Sequence, residues 1–141
     1  MDQTEKLAVM EKARIAMRNG WHCSESVVLA VGDQLFPDKL PHILRIAAPF
    51  SGGIGGTQEE LCGACSGGLM VIGALHGRIA VNEDDALCLA LSSAFRERFK
   101  AHFGYLRCKD QREHWIGQPG QPDCAELAAQ TVRLLIELIA V

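Results

Sequence analysis

The sequence predicts an all-α fold: a single-domain bundle of five or six helices, spanning residues 1–141, packed around a central apolar helix. Three observations carry this. Apolar residues recur at helical spacing in several separate stretches, and capping or stop residues bracket those stretches. No segment alternates apolar and polar residues for long enough to make a strand. At 141 residues, about two thirds of the unfolded chain's surface can be buried, so a real core is available without disulfide staples. There is no internal repeat and no low-complexity tract.

Leu7, Met10, Ala13, Arg14 and Met17 place a first helix over residues 4–19, stopped by Gly20. A second opens at Cys23 or Ser24 and runs through Val27, Val28, Leu29 and Val31 to about Leu35. Pro37 and Pro41 punctuate the next connection, and a short helix from His42 to Ala48 ends before Pro49, because the residue preceding a proline avoids the helical region. Thr57 and Glu60 read as a capping box that starts the central helix. Its first half is small, with Gly63, Gly67 and Gly68, and its second half, Leu69 to Leu75, has no polar residue. A helix that is apolar all round must be enclosed. Each helical glycine costs roughly 1 kcal/mol, so a close neighbour or a bound group must compensate. Asn82 then caps a helix running to Phe103, with Cys88, Leu91, Phe95 and Phe99 on one core stripe. Residues 104–123 read as a long connection that contains Cys108. Asp123 and Glu126 start a last helix, with Cys124 at its first position and Leu127, Val132, Leu134, Leu135, Leu138 and Ile139 on its apolar side.

Fourteen Lys and Arg against seventeen Asp and Glu give a net charge of −3 with no long block of one sign, which argues against nucleic acid as a partner. The N-terminus lacks the apolar core of a secretory signal, and no apolar run approaches the roughly 20 residues that span a bilayer. A cytoplasmic, non-membrane-spanning protein is the expectation.

Six cysteines, at positions 23, 62, 65, 88, 108 and 124, are many for this length, and in a reducing compartment they point to metal binding or redox chemistry rather than to structural bridges. The bland alternative is that free cysteine is a common small core residue. Cys23, Cys62 and Cys124 fall near expected helix starts, where unpaired N–H groups favour a thiolate. A thiolate is both metal ligand and nucleophile, so the placement serves either chemistry. Cys62 and Cys65 form a CxxC pair, but the βαβ context of a thioredoxin is missing, and Ser66 stands where haem attachment needs His. The glycines at 52–56 have no following Lys-Ser/Thr pair and no preceding strand, so no nucleotide is expected; they suit a tight turn beside the cysteines. His22 adjoins Cys23 and could ligate a metal or shuttle a proton, although a lone histidine beside a helix start is more often a surface residue.

Cys23, then Cys62-Gly63-Ala64-Cys65-Ser66-Gly67 as CGAxxG, then Cys108 and Cys124 together resemble the C_GCAxxG_C_C family of redox-active proteins over essentially the whole chain. The resemblance implies that Cys23, Cys62, Cys108 and Cys124 act together in redox chemistry or metal binding. Cys65 falls on an unspecified motif position and Cys88 lies outside it. The first expectation is therefore an iron–sulfur cluster or other metal held by those four thiolates, without haem, exchanging electrons with a partner protein. The second is a metal-free thiol–disulfide protein or sensor that meets a small oxidant, with Cys62 as nucleophile and Cys65, Cys23 or Cys124 as resolver. The third is a structural zinc-binding interaction module. A homo-oligomer is compatible with each.

Overall fold

In the computed structural model, residues 1–116 and 123–139 are described. Helix α1 spans Gln3–Arg18, α2 Cys23–Leu35, α3 Leu40–Ala47, α4 Gly63–His76, α5 Ala86–Phe103, α6 Cys108–His114 and α7 Cys124–Ile139, with one 3-10 turn at Ala48–Phe50. The described residues contain no strand, only an isolated antiparallel bridge between Leu61 and Arg107. The all-α expectation holds, with seven helices in place of five or six. None of these helices is long and apolar enough to cross a membrane.

Several ends form as the local sequence dictates. Asp2 and Glu5 close a reciprocal capping box on α1. The Glu25 carboxylate accepts the His22 N–H at the start of α2, and Asp123 accepts the Glu126 N–H at the start of α7. Gly104, with φ 83°, ends α5 in the left-handed conformation.

Three expectations are corrected. The central helix does not start at Thr57. That hydroxyl donates instead to the carbonyls of Gly53 and Ile54, inside a turn in which residues 52–56 all have φ between 56° and 74°. Beyond the turn, Glu60 and Cys62 bond to the 106–108 backbone, which keeps this stretch extended, so α4 begins only at Gly63. Asn82 does not cap α5, because Asp85 occupies that position. The connection after α5 contains helix α6, whose buried residues Cys108, Gln111 and Trp115 recur at helical spacing; a polar Gln in the middle of the stripe hides it from hydropathy. Residues 117–122 of that connection lie outside the described residues.

The core is shared rather than centred on one helix. α7 packs on α1, α2, α4 and α5, and α2 packs on α1, α3, α4 and α7. The first half of α4, Gly63 to Gly68, is buried as expected, whereas Leu69, Met70, Ala74 and Leu75 are half-buried and Gly73 is exposed. Phe95, Phe99, Phe103 and Trp115 form a chain of ring contacts along α5 to the end of α6. On α1 the buried positions are Val9, Met10, Ala13 and Ala16; Leu7 is exposed, and Arg14 reaches across to Glu126 on α7.

Two outcomes follow from this packing. A methyl at Gly67 would sit 2.6 Å from the Ser24 carbonyl oxygen. Gly67→Ala therefore lowers stability by about 1–3 kcal/mol despite its better helix propensity, read from denaturant unfolding. Arg14 holds the Glu126 carboxyl below its ordinary value of 4.5. A depressed folded-state value means that this stabilisation is complete above about pH 4.5 and is lost as pH falls through the folded value. Unfolding midpoints of Glu126→Gln should accordingly show a weaker loss of stability in that acid window than wild type.

Candidate redox and metal site

Each of the four signature cysteines stands at a helix start. Cys23, Cys108 and Cys124 are the first residues of α2, α6 and α7, and Cys62 is the N-cap of α4. Three of these lie at or near helix starts that the sequence predicts, whereas Cys108, expected in a connection, opens α6. Its place is fixed by backbone pairing: the Cys62 N–H donates to Leu106 O (2.7 Å), the Cys108 N–H to Glu60 O (2.8 Å) and the Lys109 N–H to Gln58 O (2.9 Å). Cys62 and Cys108 thereby stand on the two paired segments, one residue beyond the Leu61–Arg107 bridge on each and diagonal to one another.

Two glycines make room for the thiols. A Cβ on Gly63 would collide with Cys23 Sγ, and one on Gly53 would fall 2.6 Å from Cys108 Cβ. The Gly of CGAxxG is thus the surface on which the Cys23 sulfur rests. The glycine-rich turn is the corresponding surface for Cys108, as the tight turn expected beside the cysteines.

Cys23, Cys62, Cys108 and Cys124 all line one cavity of about 330 Å³. Met17, Trp21, Ile116 and Leu127 give it apolar walls, while His22 and Arg112 bring the ionisable side chains other than thiols. Cys65 lies elsewhere, in a recess with Leu61, Leu69, Ser92, Ser93 and Arg96. Cys88 is half-buried and packs against the core, as the α5 stripe implied.

Electrostatics depart from the helix-start expectation. Burial pushes the Cys62 thiol well up, and negative charge on Cys23 and then Cys108 adds to this, against the backbone N–H groups of Ala64 and Cys65 that favour its thiolate. Burial and then Cys23 raise Cys108 and Cys124 as well, with Arg112 opposing in both cases. Desolvation and crowding of like charges thus outweigh the helix ends. Negative charge on Cys23 is felt by each of the other three thiols. Cys65 is pushed up to about 12 by burial, with Arg96 opposing.

The donor set fits a soft, positively charged centre: four thiols face one space, and such a centre would supply the compensating charge that the site's Arg112 only partly provides. The sulfurs stand wider than a single tetrahedral ion requires. Among the described residues, the group of three or more donors lying mutually within 4.8 Å is Asp110, Glu113 and His114, not the thiols. A ZnS₄ tetrahedron has edges of roughly 3.8 Å. The carboxylate and histidine group, which the sequence did not single out, lies at the surface, and Asp110 is already engaged by Arg107 through two 3.1 Å bonds.

The described fold is all-helical and gathers four cysteines from four helix starts around one cavity. The chain belongs to the C_GCAxxG_C_C family: the family model described as "Putative redox-active protein (C_GCAxxG_C_C)" matches residues 21–138, which include all four signature cysteines. No curated protein and no solved structure matches the chain.

Gly63→Ala tests the role of the glycine surface. The added methyl should displace Cys23 Sγ and change the alkylation rate of Cys23 more than that of Cys88, while far-UV helicity is retained. Peptide-resolved alkylation also checks Cys65, whose rate should still be climbing at the highest accessible pH because its thiol ionises only near pH 12.

Proposed function

We propose that Cys23, Cys62, Cys108 and Cys124 together hold a metal centre, in the simplest case an iron–sulfur cluster of the two-iron type, for electron exchange with a redox partner protein. The observation that carries this reading is the convergence of these four cysteines, and not Cys65 or Cys88, on one cavity. Membership of a redox-active family supports the coarser part of it.

Bound there, a cluster supplies a one-electron couple. The chain's own residues provide the setting. Backbone N–H groups of Ala64 and Cys65 favour negative charge on Cys62, and Arg112 does the same for Cys108 and Cys124. Met17, Trp21, Ile116 and Leu127 limit water around the sulfurs. Residues of α1, α2, α6 and α7 and the N-cap of α4 contribute, consistent with the chain acting as one domain, and six free thiols suit a reducing compartment such as the cytoplasm.

A metal-free thiol–disulfide reading keeps support for pairs within the four, which line one cavity. It loses support for the Cys62–Cys65 pair, because Cys65 lines a separate recess and its thiol is held near 12.

Protein purified without oxygen should absorb in the visible and contain iron and acid-labile sulfide. Serine at position 23, 62, 108 or 124 should abolish both while leaving far-UV helicity largely intact, whereas Cys65→Ser and Cys88→Ser should retain them. Colourless protein lacking both after reconstitution rules the cluster out, and stoichiometric zinc without redox response turns the reading to the structural module.

A further inference from the structure

Arg14 sits beside Ala13 on the inward side of α1, where the helical spacing calls for an apolar residue. Its guanidinium crosses to α7 and grips Glu126 with both prongs, Nε to Oε2 at 2.8 Å and Nη2 to Oε1 at 3.1 Å, while Nη1 donates to Glu11 at 3.0 Å. Gln130 adds a further bond to Glu126 Oε1 at 3.2 Å. The two side chains of the pair are only 21% and 26% exposed. A two-pronged arginine–carboxylate bond fixes orientation as well as distance.

What this bond joins is the cavity. Met17, one turn along α1 from Arg14, lines it, and so does Cys124, two residues before Glu126. The other three thiols are placed by different means. Cys62 and Cys108 are held by backbone bonds to Leu106 and Glu60, and the Cys23 sulfur rests on Gly63. Cys124 is carried by the first turn of α7, which is held by the local Asp123 cap, by the burial of Ala125 and Leu127, and by the Arg14 grip on Glu126, the one two-pronged side-chain bond described there.

We infer that Arg14 is a positioning residue for the thiol site: through its two-pronged bond to Glu126 it sets where the Cys124 sulfur stands in the cavity. The inference rests on the proposed reading that the four cysteines work as one site, but its consequence is visible in metal-free protein. Releasing the first turn of α7 exposes the Cys124 thiol, whichever half of the Arg14–Glu126 bond is removed.

The experiment is limited alkylation of reduced, metal-free protein with iodoacetamide, with each cysteine followed by peptide mass spectrometry and the melting temperature measured alongside. In Arg14→Ala, Cys124 should react about three- to tenfold faster relative to Cys62 and Cys108, whose own rates change little. Glu126→Gln, which removes the other half of the fork, should speed Cys124 by a similar factor, and Arg14→Ala combined with Glu126→Gln should speed it little more than either change alone. If Arg14→Ala does not fold, Arg14→Lys keeps the charge, loses the fork and should still speed Cys124. An unchanged Cys124 rate, a parallel rise at all the cysteines with a fall in melting temperature, or two single effects that simply multiply in the double variant would overturn the inference. Wild-type protein that takes up no iron defeats the cluster reading and leaves this comparison standing.

Discussion

The contact on which the rest of the site depends is the bare approach of α4 to α2. Gly63 receives the Cys23 sulfur and Gly67 receives the Ser24 carbonyl, each at a distance that leaves no room for a methyl group. Two such contacts, four residues apart, lock one helix along the start of another without any long side chain between them. Cys62, immediately before Gly63, is thereby presented beside Cys23. The pairing of residues 60–62 with 106–108 then adds Cys108 to the same place. Helix α7, packed against α1, α2, α4 and α5, closes the remaining wall with Cys124. The cost of glycine in α4 is offset by close packing, as general helix energetics requires.

The arrangement carries an electrostatic tension that fits its proposed use. Helix starts favour thiolates, yet these are buried and crowd one another, and the balance falls on the side of the protonated thiol for Cys62, Cys108 and Cys124. Arg112 is the guanidinium at the cavity, and it opposes the shift at Cys108 and Cys124 without reversing it. A site of this kind gains most from an occupant that brings its own positive charge. Neutral packing alone would not require four cysteines to meet in one space lined also by Arg112 and His22.

Much of this was legible in the sequence because it was written locally. Periodicity located α1, α2, α5 and α7 closely, and the helix starts at Cys23 and Cys124 followed from neighbouring residues. The errors arose where distant backbone decided. Thr57 and Glu60 have the spacing of a capping box, but nothing nearby in the chain reveals that Leu61 will pair with Arg107 and keep the stretch extended. Helix α6 escaped notice because Gln111 occupies a core position between Cys108 and Trp115. The apolar second half of α4 was expected to be enclosed, yet hydropathy does not show how many neighbours a helix has, and that half remains partly open. The family motif grouped Cys23, Cys62, Cys108 and Cys124 without indicating geometry. Its unspecified position, Cys65, faces a different recess.

The order of the four cysteines along the chain has a consequence for biosynthesis. Cys23, Cys62 and Cys108 emerge from the ribosome before Cys124, and α1, made first, finds its partner α7 only after all the other helices exist. Domains fold as units once their sequence is available, so the four cysteines can line one cavity only in a chain that already includes α7. Under the proposed reading, a metal would find its four ligands together no earlier than that, and reducing surroundings would keep the first three thiols available until then.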